Sequence, residues 1–77
     1  MDIFPQRLKH LREEAGLRRV VLAELCDLGK NAIQEYETGD RVPGLDAAIK
    51  IADFFGVSLD YLAGRESDKI PGIQGKK

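Results

Sequence analysis

The sequence predicts an all-α domain, a compact bundle of five short helices. Apolar residues recur along the chain with the spacing of a helix face, and glycine or proline interrupts that pattern repeatedly. No segment alternates with the period of two that is typical of a strand. The chain has 77 residues, which is enough for one domain and too few for two.

The first three predicted helices lie close together in the sequence. The first has Pro5 in its first turn, ends at Gly16 and carries one apolar face made of Phe4, Leu8, Leu11 and Ala15. The second spans residues 19–25. Its inward-facing residues are Leu22, Ala23 and either Leu25 or Cys26. After a turn of about four residues, a third helix is predicted over residues 30–37, with Ile33 and Tyr36 on its inner face.

Two further helices follow a loop at residues 38–44 that is rich in turn-forming residues. The fourth spans residues 45–55, with an apolar stripe made of Leu45, Ala48, Ile49, Ala52 and Phe55. The fifth spans residues 59–63, and Ser58 can cap it. From residue 65 the pattern stops, and we expect a flexible C-terminal tail over residues 65–77.

Composition excludes several classes of protein. No apolar run approaches the roughly 20 residues needed to cross a bilayer, and the N-terminus lacks the features of a secretory signal. The single cysteine, Cys26, cannot form an internal disulfide and has no metal-ligand spacing around it. We therefore expect a cytoplasmic protein with no metal, no cofactor and no membrane partner.

The second and third helices have the residues that a helix-turn-helix needs. Helices joined by so short a turn cross steeply, and a steep crossing requires a small residue where the backbones approach. Ala23 meets this requirement, Ile33 can fill the space beside it, and Leu28 can pack beneath the turn. Periodicity alone leaves two interpretations open at this point, a generic helical bundle and a DNA-reading motif.

Residues 8–64 resemble the helix-turn-helix family of phage repressors, Cro proteins and related bacterial regulators (the Cro/C1-type, or XRE, family). The resemblance is carried by Arg12-Glu13-Glu14-Ala15-Gly16-Leu17, Leu22-Ala23-Glu24, Ile33, Tyr36-Glu37-Thr38-Gly39, Arg41-Val42-Pro43, Ala52, Gly56-Val57-Ser58-Leu59-Asp60-Tyr61-Leu62 and Gly64. It implies a bundle of the lambda-repressor-like DNA-binding type, with the DNA-binding domain at residues 1–64 and the motif at 19–38. It also implies a transcriptional repressor or regulator that binds a palindromic operator in double-stranded DNA, as a homodimer at least on the DNA.

Three positions depart from the family pattern. Asp27 stands where the family usually has a turn glycine with positive φ, and aspartate tolerates that conformation at modest cost. Gly29 stands where the family favours Ser or Thr as the N-cap of the third helix, which reads the DNA bases in this family (the reading helix). Glycine is an acceptable cap. Arg19 replaces a common glutamine and can still reach a phosphate.

The predicted base contacts follow from the helical positions that point away from the core. With Ile33 facing inward, the outward residues at the start of the third helix reach base edges in the major groove. Glutamine and asparagine pair with adenine, lysine with guanine, and glutamate accepts from cytosine N4. The predicted base-reading residues are Lys30, Asn31, Gln34 and Glu35.

Arg18, Arg19 and Arg41 are the predicted phosphate contacts, with Thr38 as a further hydroxyl donor. Arg12 and Glu37 are not expected to contact DNA. The resemblance implies that these two residues form a half-buried structural ion pair between the first helix and the end of the reading helix.

Net charge argues against DNA binding, since 12 basic and 13 acidic residues give −1, whereas nucleic-acid binders are usually basic. A second hypothesis is therefore a protein-interaction module, such as an antitoxin or adaptor domain, that keeps the fold without reading DNA. An enzyme is not expected, because the sequence has no paired nucleophile and base, no phosphate-binding glycine loop and no set of metal ligands.

Overall fold

A computed structural model describes residues 3–65 as five α-helices joined by short loops. The helices are α1 (Phe4–Glu14), α2 (Arg19–Leu25), α3 (Ala32–Thr38), α4 (Leu45–Phe55) and α5 (Leu59–Ala63). Residues 3–65 contain no strand, so the predicted all-α bundle of five helices is confirmed. Of the tail predicted at residues 65–77, residues 66–77 lie outside the described residues, as do residues 1 and 2.

Every helix contributes at least one large side chain to a common apolar core. These side chains are Phe4 and Leu8 from α1, Leu22 from α2, Ile33 and Tyr36 from α3, Ile51 from α4 and Leu62 from α5. The rings of Phe4 and Tyr36 meet edge to face, with centroids 6.0 Å apart. The small Ala23 is completely buried where α2 packs on α3. The core therefore holds both helices of the motif in place.

Three predicted core positions are wrong. Leu45 and Ile49 of α4 are 68% and 38% exposed, whereas Ile51, which the predicted stripe omitted, is completely buried. Ala15, at the end of α1, is exposed. Both possible stripes on α4 share Ala48, Ala52 and Phe55, so only the packing against the other helices determines which isoleucine faces inward.

The end of α2 is buried through Cys26. Of the two residues that the sequence leaves open, Cys26 is 5% exposed and Leu25 is 54% exposed. Burial raises the pKa of the Cys26 thiol, because the thiolate loses its hydration. Cys26 is therefore a small core residue.

The turn between α2 and α3 depends on a left-handed residue. Asp27 has φ 59°, as expected for a position where the family usually has glycine. Lys50 of α4 donates to the Asp27 carbonyl at 3.3 Å, and the Leu28 amide donates to the carbonyl of Ala23 at 2.8 Å. Leu28 is half-buried against the core, as predicted.

α3 begins two residues later than predicted. Lys30 and Asn31 lie in a turn, and Asn31, not Gly29, is the N-cap residue of α3. The predicted cap at Gly29 is therefore wrong. The Ala32 amide donates to the Gly29 carbonyl at 2.9 Å, and this tight turn precedes the first α-helical bond, from the Glu35 amide to the Asn31 carbonyl at 3.0 Å. The spacing of apolar residues carries no information about such a turn.

Substitutions at Asp27 test the cost of the left-handed turn. We expect Asp27→Ala to be less stable than Asp27→Gly by about 1 kcal/mol, because a Cβ is penalised at positive φ and glycine has none. Urea unfolding followed by circular dichroism measures the difference. At Asp53, an exposed position inside α4, the same two substitutions should give the opposite order, because glycine is the poorer helix former. Equal stability of the two Asp27 variants would contradict this account of the turn.

Candidate nucleic-acid interface

α2, α3 and the turn between them bring four predicted contact residues to one surface. Arg18 is the N-cap residue of α2, Arg19 is its first residue, Lys30 lies in the turn before α3, and Gln34 lies on α3. Together with other residues they line an open groove of about 570 Å³. We call this surface the basic groove; it is lined by Arg12, Arg18, Arg19, Val20, Val21, Lys30 and Gln34.

The basic groove carries positive charge without acidic residues in its lining. Arg18, Arg19 and Lys30 are exposed and form no ion pair with another residue in the range 3–65. A local cluster of this kind attracts a polyanion even when the whole chain is nearly neutral, because the local field governs docking. The net charge of −1 is therefore compatible with a phosphate-binding surface.

Two apolar residues of the basic groove were not predicted to belong to the site. Val20 and Val21 are 54% and 40% exposed at the start of α2. Their exposure could have been inferred from the sequence, because Leu22 and Ala23 already fill the inner face of this short helix. Exposed methyl groups beside a row of cations are suited to contact the methyl group of thymine.

A second group of polar residues lies at the C-terminal end of α3. The Arg41 guanidinium donates to Glu35 Oε1 at 2.8 Å, and the Thr38 hydroxyl donates to the Glu35 carbonyl at 3.2 Å. The bond to Glu35 raises the pKa of Arg41. We call these three residues, Glu35, Thr38 and Arg41, the Glu35 cluster.

Two of the predicted phosphate contacts, Arg41 and Thr38, belong to the Glu35 cluster. In the structure, Arg41 and Thr38 each donate a hydrogen bond to Glu35. Their roles as phosphate contacts stay predictions. Asn31 is exposed at the start of α3. It does not line the basic groove, and it does not belong to the Glu35 cluster.

The ion pair implied for Arg12 and Glu37 is present. Arg12 Nε and Nη2 donate to the two carboxylate oxygens of Glu37 at 2.6 and 3.1 Å, and Nη1 donates to the Leu17 carbonyl at 2.9 Å. The side chains are only 13% and 4% exposed. The bond to Glu37 raises the pKa of Arg12. The pair joins α1 to α3 and, through Leu17, to the loop that precedes α2.

Two negative findings concern the described residues. No helix among residues 3–65 is long and apolar enough to span a bilayer, and the longest have 11 residues. Within the same range, no three His, Cys, Asp or Glu side chains are arranged to hold a metal ion.

The chain is similar in sequence to helix-turn-helix transcriptional regulators. A family model described as helix-turn-helix matches residues 8–62. The HTH-type transcriptional regulator ImmR of Bacillus subtilis is 36% identical over 61 residues, which make up 79% of this chain and 48% of the relative. The uncharacterized HTH-type transcriptional regulator YobD of Bacillus subtilis is 32% identical over 74 residues, 96% of this chain and 66% of the relative.

A third relative comes from a phage. The cryptic phage CTXphi transcriptional repressor RstR of Vibrio cholerae is 31% identical over 68 residues, 88% of this chain and 61% of the relative. The chain thus spans about half to two thirds of the length of these relatives.

Removal of one partner from the buried ion pair tests its structural role. We expect Glu37→Ala to lower the free energy of unfolding by about 3 kcal/mol, because the Arg12 charge is left without its carboxylate. Urea unfolding of Glu37→Ala measures this loss. In the apolar series Arg12→Met, Glu37→Leu and their double variant, the double variant should be more stable than the worse single variant. Arg41→Ala, which breaks the exposed pair with Glu35, is the matched control and should change stability much less. A small effect of Glu37→Ala would contradict the assigned role.

Proposed function

The chain belongs to the helix-turn-helix family, and from this premise we propose that it is a transcriptional regulator that binds double-stranded DNA with α3 in the major groove. The basic groove carries the proposal: Arg18, Arg19 and Lys30, which form no ion pair within residues 3–65, lie beside Gln34 at the first turns of α3. The proposed DNA-binding domain is residues 1–64, with its motif at residues 19–38. Phosphate contacts hold such a helix in register while side chains read base edges.

We assign base reading to Lys30, Asn31, Gln34 and Glu35, and phosphate binding to Arg18 and Arg19. Gln34 is exposed on α3 and borders the cations of the basic groove, which supports a paired contact to adenine N6 and N7. Lys30 reaches guanine O6 and N7, and Asn31 reaches adenine. Arg18 and Arg19, at the start of α2, face the backbone that flanks α3.

The proposal extends to a homodimer that represses transcription from a palindromic operator. α3 has seven residues and is therefore about 10 Å long, so one copy reads only a few base pairs. Each correct base pair contributes roughly 1–3 kcal/mol of specificity, and a second copy on a half-site about one helical turn away doubles the number of base pairs that are read. The phage relative that carries the name of a transcriptional repressor supports repression.

A second candidate function is a protein-interaction module, and one observation favours it. Val42 and Leu45 are 70% and 68% exposed just before and at the start of α4, and neither lines the basic groove. Apolar side chains as exposed as these are typical of docking surfaces when they form a contiguous patch. An antitoxin or adaptor of this kind would bind a partner protein without salt-dependent binding to a duplex.

Selection of bound duplexes from a random pool at two salt concentrations tests the proposed function. We expect a palindromic consensus and affinity that falls steeply with salt. Arg19→Ala should weaken binding to all sequences and reduce the salt slope by about one unit, whereas Gln34→Ala should relax the preference at one base pair. Arg65→Ala, which removes a charge outside the basic groove, should leave both properties unchanged. An absence of enrichment from the pool would favour the second candidate.

A further inference from the structure

Arg41 is tied to Glu35 by both its backbone and its side chain. The Arg41 amide donates to the Glu35 carbonyl at 3.2 Å, and the guanidinium donates to Glu35 Oε1 at 2.8 Å. The chain reverses between them at Gly39, which ends α3 with φ 85°. Because the backbone bond sets the distance between the two residues, the ion pair is built into the end of α3.

The ring of Tyr36 supports the guanidinium from another side. The Arg41 Cζ atom lies 5.6 Å from the centroid of this ring, within the range of a cation–π contact. Tyr36 is itself 2% exposed and packs edge to face against Phe4. Arg41 is therefore in contact with both a carboxylate and a ring that belongs to the core.

This arrangement has a consequence for Glu35. An isolated carboxylate on a helix in the DNA major groove would be repelled by the phosphates. Arg41 removes this repulsion because its positive charge neutralises the Glu35 carboxylate. The guanidinium bonds to Oε1, and no hydrogen bond from residues 3–65 to Oε2 is present. The side chain is 36% exposed, so Oε2 can accept a hydrogen bond from outside the protein.

We propose that Arg41 is a positioning residue for base reading, which orients and neutralises the Glu35 carboxylate so that Oε2 accepts a hydrogen bond from the N4 amino group of a cytosine. This inference rests on the proposed function and deepens it. It gives Arg41 a role that differs from the phosphate contact predicted from the sequence. A phosphate contact strengthens binding to every sequence, whereas a positioning residue affects discrimination at one base pair.

The experiment measures discrimination, the ratio of the Kd for a duplex with one substituted base pair to the Kd for the selected consensus. Glu35→Ala identifies the base pair that Glu35 reads, as the one where discrimination falls. We expect Arg41→Gln to lower discrimination at that same base pair by about tenfold and to preserve it elsewhere. The double variant Glu35→Ala/Arg41→Gln should discriminate no worse than Glu35→Ala alone, because Arg41 acts through Glu35.

Arg19→Gln is the matched control, since it removes an arginine of the basic groove and should weaken all duplexes by a similar factor with discrimination unchanged. The inference is overturned if Arg41→Gln behaves like this control. It is also overturned if Glu35→Ala keeps discrimination at every base pair. In both cases the wild-type protein still selects a consensus with steep salt dependence, whereas failure of the proposed function leaves no selected consensus and removes both proposals. Thermal melting verifies that each variant is folded.

Discussion

Arg12 fixes the position of α3 relative to the rest of the bundle. Its guanidinium bonds to Glu37 on α3 and to the Leu17 carbonyl just before α2, so three parts of the chain meet at one side chain. Nearly complete burial of Glu37 makes any arrangement that separates the pair costly, because the carboxylate would lose its partner away from water. Arg12 also borders the basic groove. The orientation of α3, and with it the presentation of Gln34 and the Glu35 cluster, therefore depends on Arg12 as well as on the apolar core.

The pairing of the two glutamates of α3 shows how a chain with a net negative charge can keep this helix free of exposed, unbalanced acidic groups. Glu37 is paired with Arg12 in the interior, and Glu35 is paired with Arg41 at the surface. Neither leaves an uncompensated negative charge on α3. The cations of the basic groove, by contrast, have no acidic neighbour in the groove lining. The distribution of charge, more than its sum, therefore decides what this surface attracts.

Those parts of the fold that depend on local sequence could be predicted. α1, α2, α4 and α5 follow from apolar spacing, and glycine, proline or serine residues mark the ends of α1, α4 and α5. Ser58 indeed accepts a hydrogen bond from the Tyr61 amide. The turn at Lys30 and Asn31 could not be predicted, because it depends on a single backbone bond. Neither could the choice of Ile51 over Ile49, because both give a regular stripe and only tertiary packing distinguishes them.

The candidate site, too, could be predicted only in part. Arg18, Arg19, Lys30 and Gln34 were predicted as contacts one by one, and the bend of the motif brings them to one groove. The bond between Glu35 and Arg41 was not predicted, because the two residues lie on either side of the reversal at Gly39 and share no helical period. Sequence reasoning therefore assigned them separate roles, whereas the structure makes them one unit.

The two ends of the described bundle meet at Gly64. This glycine ends α5 with φ 82°, and the side chain of Ile3 fills the space where a Cβ would be. Any larger residue at this position requires the side chain of Ile3 to move. For protein engineering, such closeness favours circular permutation. A short peptide linker from residue 64 to residue 3, with new termini opened after the exposed Val42, keeps all five helices uninterrupted and leaves Arg41 joined to α3.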